Sequence, residues 1–184
     1  MRGVVFNLLE QVVIETAGED EWDDLLDRAG SDGVYTSACD YEIEELLGLV
    51  EAVEGAGTTL AGRLRWLGRR AVPHLVDWRA DVFEAHATVA SLLLKAEETV
   101  QAEVRPFTDG PLRPMFDFHH DPKAPDAFAV GCHLPGGLCA AVEGILIGVA
   151  EHYGQTLRVT QPKCERKGFS SCLIVGTLAE AAAA

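Results

Sequence analysis

Apolar positions in the first half of the chain recur at helical spacing. Val5, Leu8, Leu9, Val12 and Val13 share one side of a helix that Gly18 can stop. Trp22, Leu25, Leu26 and Ala29 mark a second, shorter helix ending at Gly30. Asp40 is placed to cap a third, with Tyr41, Ile43, Leu46, Leu47, Val50 and Val53 inward. Thr58 or Thr59 can cap a fourth that carries Leu60, Leu64, Trp66 and Leu67. Pro73 reads as a break or a first-turn proline. After Trp78 a loop is expected to lead to a long helix over about 88–104.

The pattern changes beyond a hinge rich in proline and glycine: Pro106, Gly110, Pro111 and Pro114. Residues 115–119 and 128–134 are short runs of β-type character, separated by the turn-rich stretch DPKAPD. Gly136 and Gly137 precede an apolar helix over about 138–153. Two further strands, 156–160 and 170–175, are joined by a charged turn. The expected class is α+β: an N-terminal helical lobe, a long central helix, and a C-terminal four-stranded antiparallel sheet with one packed helix. A single domain is expected over 1–177, with the helical lobe at about 1–80, the α/β lobe at about 81–177, and a low-complexity tail at 178–184.

Composition narrows the function. The 184 residues are 48% hydrophobic, enough for a substantial core. A net charge of -14, from 29 acidic and 15 basic residues, repels phosphate backbones and anionic headgroups. Nucleic acid and membrane surfaces are therefore poor partners, and no apolar run reaches the roughly 18 residues that spanning a bilayer needs. Five cysteines in a chain of this length do not read as a secreted disulfide framework. The expectation is a cytoplasmic domain. No phosphate-cradling glycine loop, paired-histidine helix or nucleophile elbow occurs, so an enzyme is not expected.

The opening MRGVVFNLLEQVV, the segments GEDEWDDLL and GVYTS, the helix VASLLLKAEETVQAEV, the run from Arg113 to Phe116 and the triplet Gly137-Leu138-Cys139 together carry a resemblance. The chain closely resembles the haem nitric oxide/oxygen binding (H-NOX) family of bacterial sensor domains, from Met1 to about Val175. The vinyl-reductase-like sensor domains, which share the C-terminal lobe pattern, are the nearest alternative. The resemblance implies haem as cofactor, tied by a histidine on the long helix and clamped at its propionates by a Tyr-x-Ser-x-Arg motif. Here the axial position is Gln101, and the clamp positions are Gly131, His133 and Pro135. Pro114, which in the family presses on the macrocycle, is retained. An amide is a very weak iron ligand beside imidazole, so the haem site is expected to be degenerate. Cys132 and His133 fall within the displaced clamp and could approach a haem edge.

A second resemblance lies in the cysteines. A subset of the family binds zinc through cysteines at the positions of Cys139, Cys164 and Cys172, with a histidine where this chain has Gln161. Three thiolates are a strong zinc set, and water, Gln161 or a more distant histidine could complete the tetrahedron. Two other readings stand beside zinc: a redox-active thiol pair, and three inert buried thiols. Cys39 and Cys132 read as buried thiols without a partner.

The expected function is an H-NOX-like sensory domain, haem-free or weakly haem-binding, with the zinc/thiol site as a switch. The resemblance implies a signalling partner such as a histidine kinase or a cyclic-di-GMP enzyme. The alternatives are a haem-binding nitric oxide sensor with a non-family axial ligand, and a sensor of another flat hydrophobic molecule.

Overall fold

The computed structural model describes residues 1–95, 116–120, 123, 124 and 126–180. Its first half is helical: α1 (Gly3–Ala17), α2 (Glu19–Ala29), α3 (Ile43–Ala52), α4 (Leu60–Trp78) and α5 (Ala80–Glu84), followed by a helix α6 that starts at residue 89 and is described to 95. The second half holds β1 (Phe116–His120), β2 (Ala127–Cys132), α7 (Cys139–His152), β3 (Gln155–Lys163) and β4 (Cys172–Glu180). The strands form one sheet in the order β1-β2-β4-β3, with every neighbouring pair antiparallel. The architecture is therefore α+β, as the hydrophobic pattern implies.

Local chemistry explains several helix ends. The first turn of α2 carries Glu19, Asp20 and Glu21 and its last turn carries Arg28, each sign matched to its end of the helix dipole. Gly30 closes that helix at φ 68°, a left-handed conformation that glycine adopts at no steric cost. The Thr59 hydroxyl accepts from the Gly62 amide at 3.1 Å and caps α4. Thr88 does the same for α6, accepting from the Ser91 amide at 3.2 Å.

Three boundaries differ from the sequence reading. Asp40 caps no helix. It forms a bridge with Arg2, and the Tyr41 amide donates to the Met1 carbonyl at 2.8 Å, so the chain stays extended until Ile43. Pro73 breaks nothing and lies inside the 19-residue α4. The Arg69 carbonyl, which Pro73 deprives of its helical amide, lies over Gly148 of α7, 2.8 Å from where a Cβ would stand. Finally, β4 runs to Glu180, into the stretch that composition marks as tail. Leu178 pairs with Leu157 and is buried, so an apolar side chain holds that end in the sheet.

Two apolar cores meet along α4 and α7. One gathers Phe6, Leu9, Leu25, Leu46, Leu49 and Leu64 from the first four helices. The other packs Leu146 and Val149 of α7 against the alternating inward residues Phe128, Val130 and Cys132 of β2 and Cys172, Ile174 and Leu178 of β4. Gly68, Gly144 and Gly148 let α4 and α7 approach backbone to backbone. A Cβ on Gly144 would fall on the Arg65 carbonyl oxygen and stand 2.8 Å from the Arg69 amide nitrogen. Glu143 lies on the same seam, buried, and accepts from Arg65 Nε at 2.8 Å.

Candidate metal centre

Three short segments deliver three sulfurs to one point. A 3₁₀ turn at Pro135–Gly137 swings the chain from β2 into α7, and Cys139 is the first residue of that helix. The turn depends on Gly136 and Gly137, both in the left-handed region at φ 65° and 77°. Cys164 follows β3, ahead of the 3₁₀ turn Glu165–Lys167, which Gly168 ends at φ 87°. The Lys167 amide donates to the Cys164 carbonyl at 2.8 Å, folding the turn back so that Cys172 opens β4 beside it.

Cys139 Sγ lies 3.9 Å from Cys164 Sγ, and Cys172 Sγ lies 3.8 Å from Cys164 Sγ. All three ligand atoms lie within 4.8 Å of one another. A tetrahedral zinc with sulfur arms of about 2.3 Å sets its sulfurs about 3.8 Å apart, whereas a disulfide closes to about 2.05 Å. The spacing excludes a disulfide and suits either thiol–thiol contact or ligands around a shared ion. All three cysteines are at most 3% exposed.

The electrostatics are uneven. Burial pushes the Cys164 thiol up, but hydrogen bonds from the Arg166 side chain and backbone, with Cys172 and Cys139, outweigh it and hold the thiol below its ordinary range. Burial pushes the Cys172 thiol up to about 12, against an opposing Glu165 amide that reaches its sulfur at 3.4 Å. A cation bound among the three sulfurs would displace their protons, since a coordinated thiol is deprotonated outright.

Gln161 sits near the end of β3 and lines a cleft of about 530 Å³ together with Arg65, Glu143, Arg166 and Lys167. Its Nε2 is buried without a hydrogen-bond partner among the described residues. Cys132, on the last turn of β2's alternation, is fully buried, and burial, with Cys139 and Cys172 nearby, pushes its thiol up to about 12. Cys39 departs from expectation: it is exposed, in a turn where its amide donates to the Thr36 carbonyl and its own carbonyl accepts from the Gly3 amide, while Tyr35 and Tyr41 of the same loop supply the inward packing.

Of the residues expected from the resemblance to stand at haem positions, Gln101 and Pro114 lie outside the described residues. Gly131 is on β2 opposite Asp117 of β1, and a Cβ there would stand 3.3 Å from the Asp117 side chain. His133 and Pro135 are exposed between β2 and α7. These three positions offer no guanidinium or phenol to a carboxylate, and Pro135 lacks even a backbone N–H.

The turn Glu165-Arg166-Lys167-Gly168 is expected from the sequence to bring basic charge to the thiols, and Arg166 supplies it at Cys164. Sequence reasoning missed the Arg65–Glu143 pair, which had a signal: Glu143 is a lone charge deep inside an otherwise apolar helical run, and a buried carboxylate demands a partner.

The sequence model of the Haem-NO-binding family matches residues 2–161, and the chain belongs to that family. Among solved structures, an H-NOX protein from S. oneidensis in the Fe(II)NO ligation state is 26% identical, with a TM-score of 0.83, over 98% of this chain and 100% of that one. The same organism's SO2144 H-NOX domain in the Fe(II)CO state is 25% identical, with a TM-score of 0.81, over 97% of this chain and 99% of that one. The Fe(II) unliganded H-NOX protein from K. algicida, at 16% identity and a TM-score of 0.78 over the whole of both chains, shares the fold. No curated protein sequence matches the chain. Among the described residues no helix is long and apolar enough to cross a membrane.

Proposed function

We propose that this chain is an H-NOX sensory domain with a degenerate haem site, in which a buried zinc/thiol centre acts as the switch toward a partner. The observation that carries this reading is the convergence of Cys139, Cys164 and Cys172 at metal-ligand spacing, each effectively removed from solvent. Zinc held there would tie the start of α7 to the β3–β4 turn. Because α7 packs along α4, a change at the sulfurs is transmitted to the helical lobe through a rigid seam. A histidine kinase or a cyclic-di-GMP enzyme is the class of partner the family suggests. A cytoplasmic location accords with that partner and with the free cysteines.

The test is elemental analysis of the reduced, purified chain. Close to one zinc per chain is expected, with the metal lost in Cys164→Ser. Zinc well below stoichiometry after growth with ample metal would overturn the reading. A second reading, a haem-bound nitric oxide sensor with a non-family axial ligand, draws on the S. oneidensis relative in its Fe(II)NO state. The two readings are separated by the optical spectrum. A pocket retuned to another flat hydrophobic molecule would likewise be colourless but would bind that molecule in place of haem.

A further inference from the structure

We infer that Cys132 is the fourth ligand of the metal centre, which makes it a four-sulfur site and leaves Gln161 out of the coordination shell. The inference rests on the zinc reading above and adds a residue to it. Cys132 and Cys172 are direct cross-strand partners in the β2–β4 ladder. Directly opposed residues on antiparallel strands point to the same face, with Cβ atoms about 4.5–5.5 Å apart. That face is the one α7 covers, where Cys139 also sits, and all four cysteines belong to one buried cluster.

Cys132 is 0% exposed and sits outside the 4.8 Å mutual span of the other three sulfurs. A change of χ1 well, a small demand on an unbranched side chain, is the adjustment proposed for ligation. The donor chemistry then decides between the candidates. Thiolate is a far better zinc ligand than an uncharged amide oxygen, and closed structural zinc sites are built from cysteine and histidine. Gln161 lines a cleft with Arg65, Glu143 and Arg166, and its buried Nε2, without a partner among the described residues, is an N–H donor that a cation does not satisfy.

In the free protein burial, with Cys139, Cys172 and Glu143 nearby, opposes a thiolate at Cys132, and a bound divalent ion has to offset that. Four thiolates around a divalent ion leave two negative charges. The Arg166 guanidinium beside Cys164 favours a thiolate there, and the Glu165 amide reaches Cys172 Sγ at 3.4 Å. These are the outer contacts that sulfur-rich sites need to hold excess negative charge. Cys39 cannot compete, being exposed beside the N-terminus of α1.

The experiment titrates Co²⁺ into the reduced full chain and reads the sulfur-to-metal charge-transfer absorption, whose intensity follows the number of sulfurs bound. Cys132→Ser is expected to remove about a quarter of that intensity, one arm of a tetrahedral set. It should also weaken Zn²⁺ in chelator competition by about tenfold or more, while Gln161→Ala changes neither. The three-sulfur band left in Cys132→Ser reports that the fold persists. Cadmium NMR of the unmutated chain gives the same answer without a substitution: a resonance in the four-sulfur range supports Cys132, and one in the three-sulfur range overturns it. Unchanged charge-transfer intensity in Cys132→Ser, or its loss in Gln161→Ala, also overturns it while leaving the three-cysteine centre standing. No charge-transfer band in the unmutated chain would overturn both.

Discussion

Gly144→Ala is expected to lower stability by about 2 kcal/mol or more, although alanine is the better helix former. In an exposed helix interior the exchange would gain about 1 kcal/mol. Here the added methyl lands on the Arg65 carbonyl and the Arg69 amide nitrogen of α4, both backbone atoms that no rotamer change can move. The two helices must part, and overpacking of this kind costs about 1–3 kcal/mol, occasionally more. For a chain of this size the melting temperature should fall by about 4–8 °C. Gly48→Ala is the control: it lies in α3 with nothing within 4 Å of its added Cβ, so it should hold or raise the melting point. If thermal melts place Gly144→Ala level with Gly48→Ala, the close α4–α7 seam is wrong. That seam matters for function, because it positions Glu143 on Arg65 and the start of α7 at the sulfurs.

Stripping zinc should be the other large effect. A ligand that binds only the folded state stabilises it by about 4 kcal/mol when its free concentration is a thousand times its dissociation constant. Chelation is therefore expected to drop the melting temperature by about 8–16 °C, somewhat less if the unfolded cysteines also hold metal. Re-addition of zinc should restore it. Cys164→Ser, which loses the sulfur bridging the other two, should melt at the same temperature with and without chelator. A chelator effect as large in Cys164→Ser as in the unmutated chain would place the stabilising metal elsewhere.

The fold was readable because its elements carry strong local signals. The stripes of α1 and α2 with their closing glycines, and the alternation of β2 and β4 about Phe128, Val130 and Ile174, each specify a period and an end. Boundaries differ where tertiary contacts override local preference: Asp40 is taken by Arg2, and Pro73 lies inside α4, where the Arg69 carbonyl it frees faces Gly148 of α7. The three sulfurs could be nominated from the sequence through resemblance and the expected hairpin. The basic turn that carries Arg166 was legible as well, through its place between Cys164 and Cys172. Cys132 was not, because it meets Cys172 only through a strand register that residue spacing does not fix.

We propose that this Haem-NO-binding fold is haem-free or holds haem only weakly. Glycine, histidine and proline stand at Gly131, His133 and Pro135, the positions the resemblance assigns to the clamp, and glutamine at Gln101, the position it assigns to the axial ligand. Propionates bound there would be desolvated with few partners, and a chain of net charge -14 offers no general attraction to a dianionic porphyrin. Restoring histidine at Gln101 alone should recover haem only modestly, because the clamp would still be missing. The most direct measurement is the visible absorption spectrum of the chain purified after expression with ample haem. The account predicts a largely colourless protein, with at most a weak, substoichiometric Soret band. A sharp Soret band at one haem per chain would contradict it.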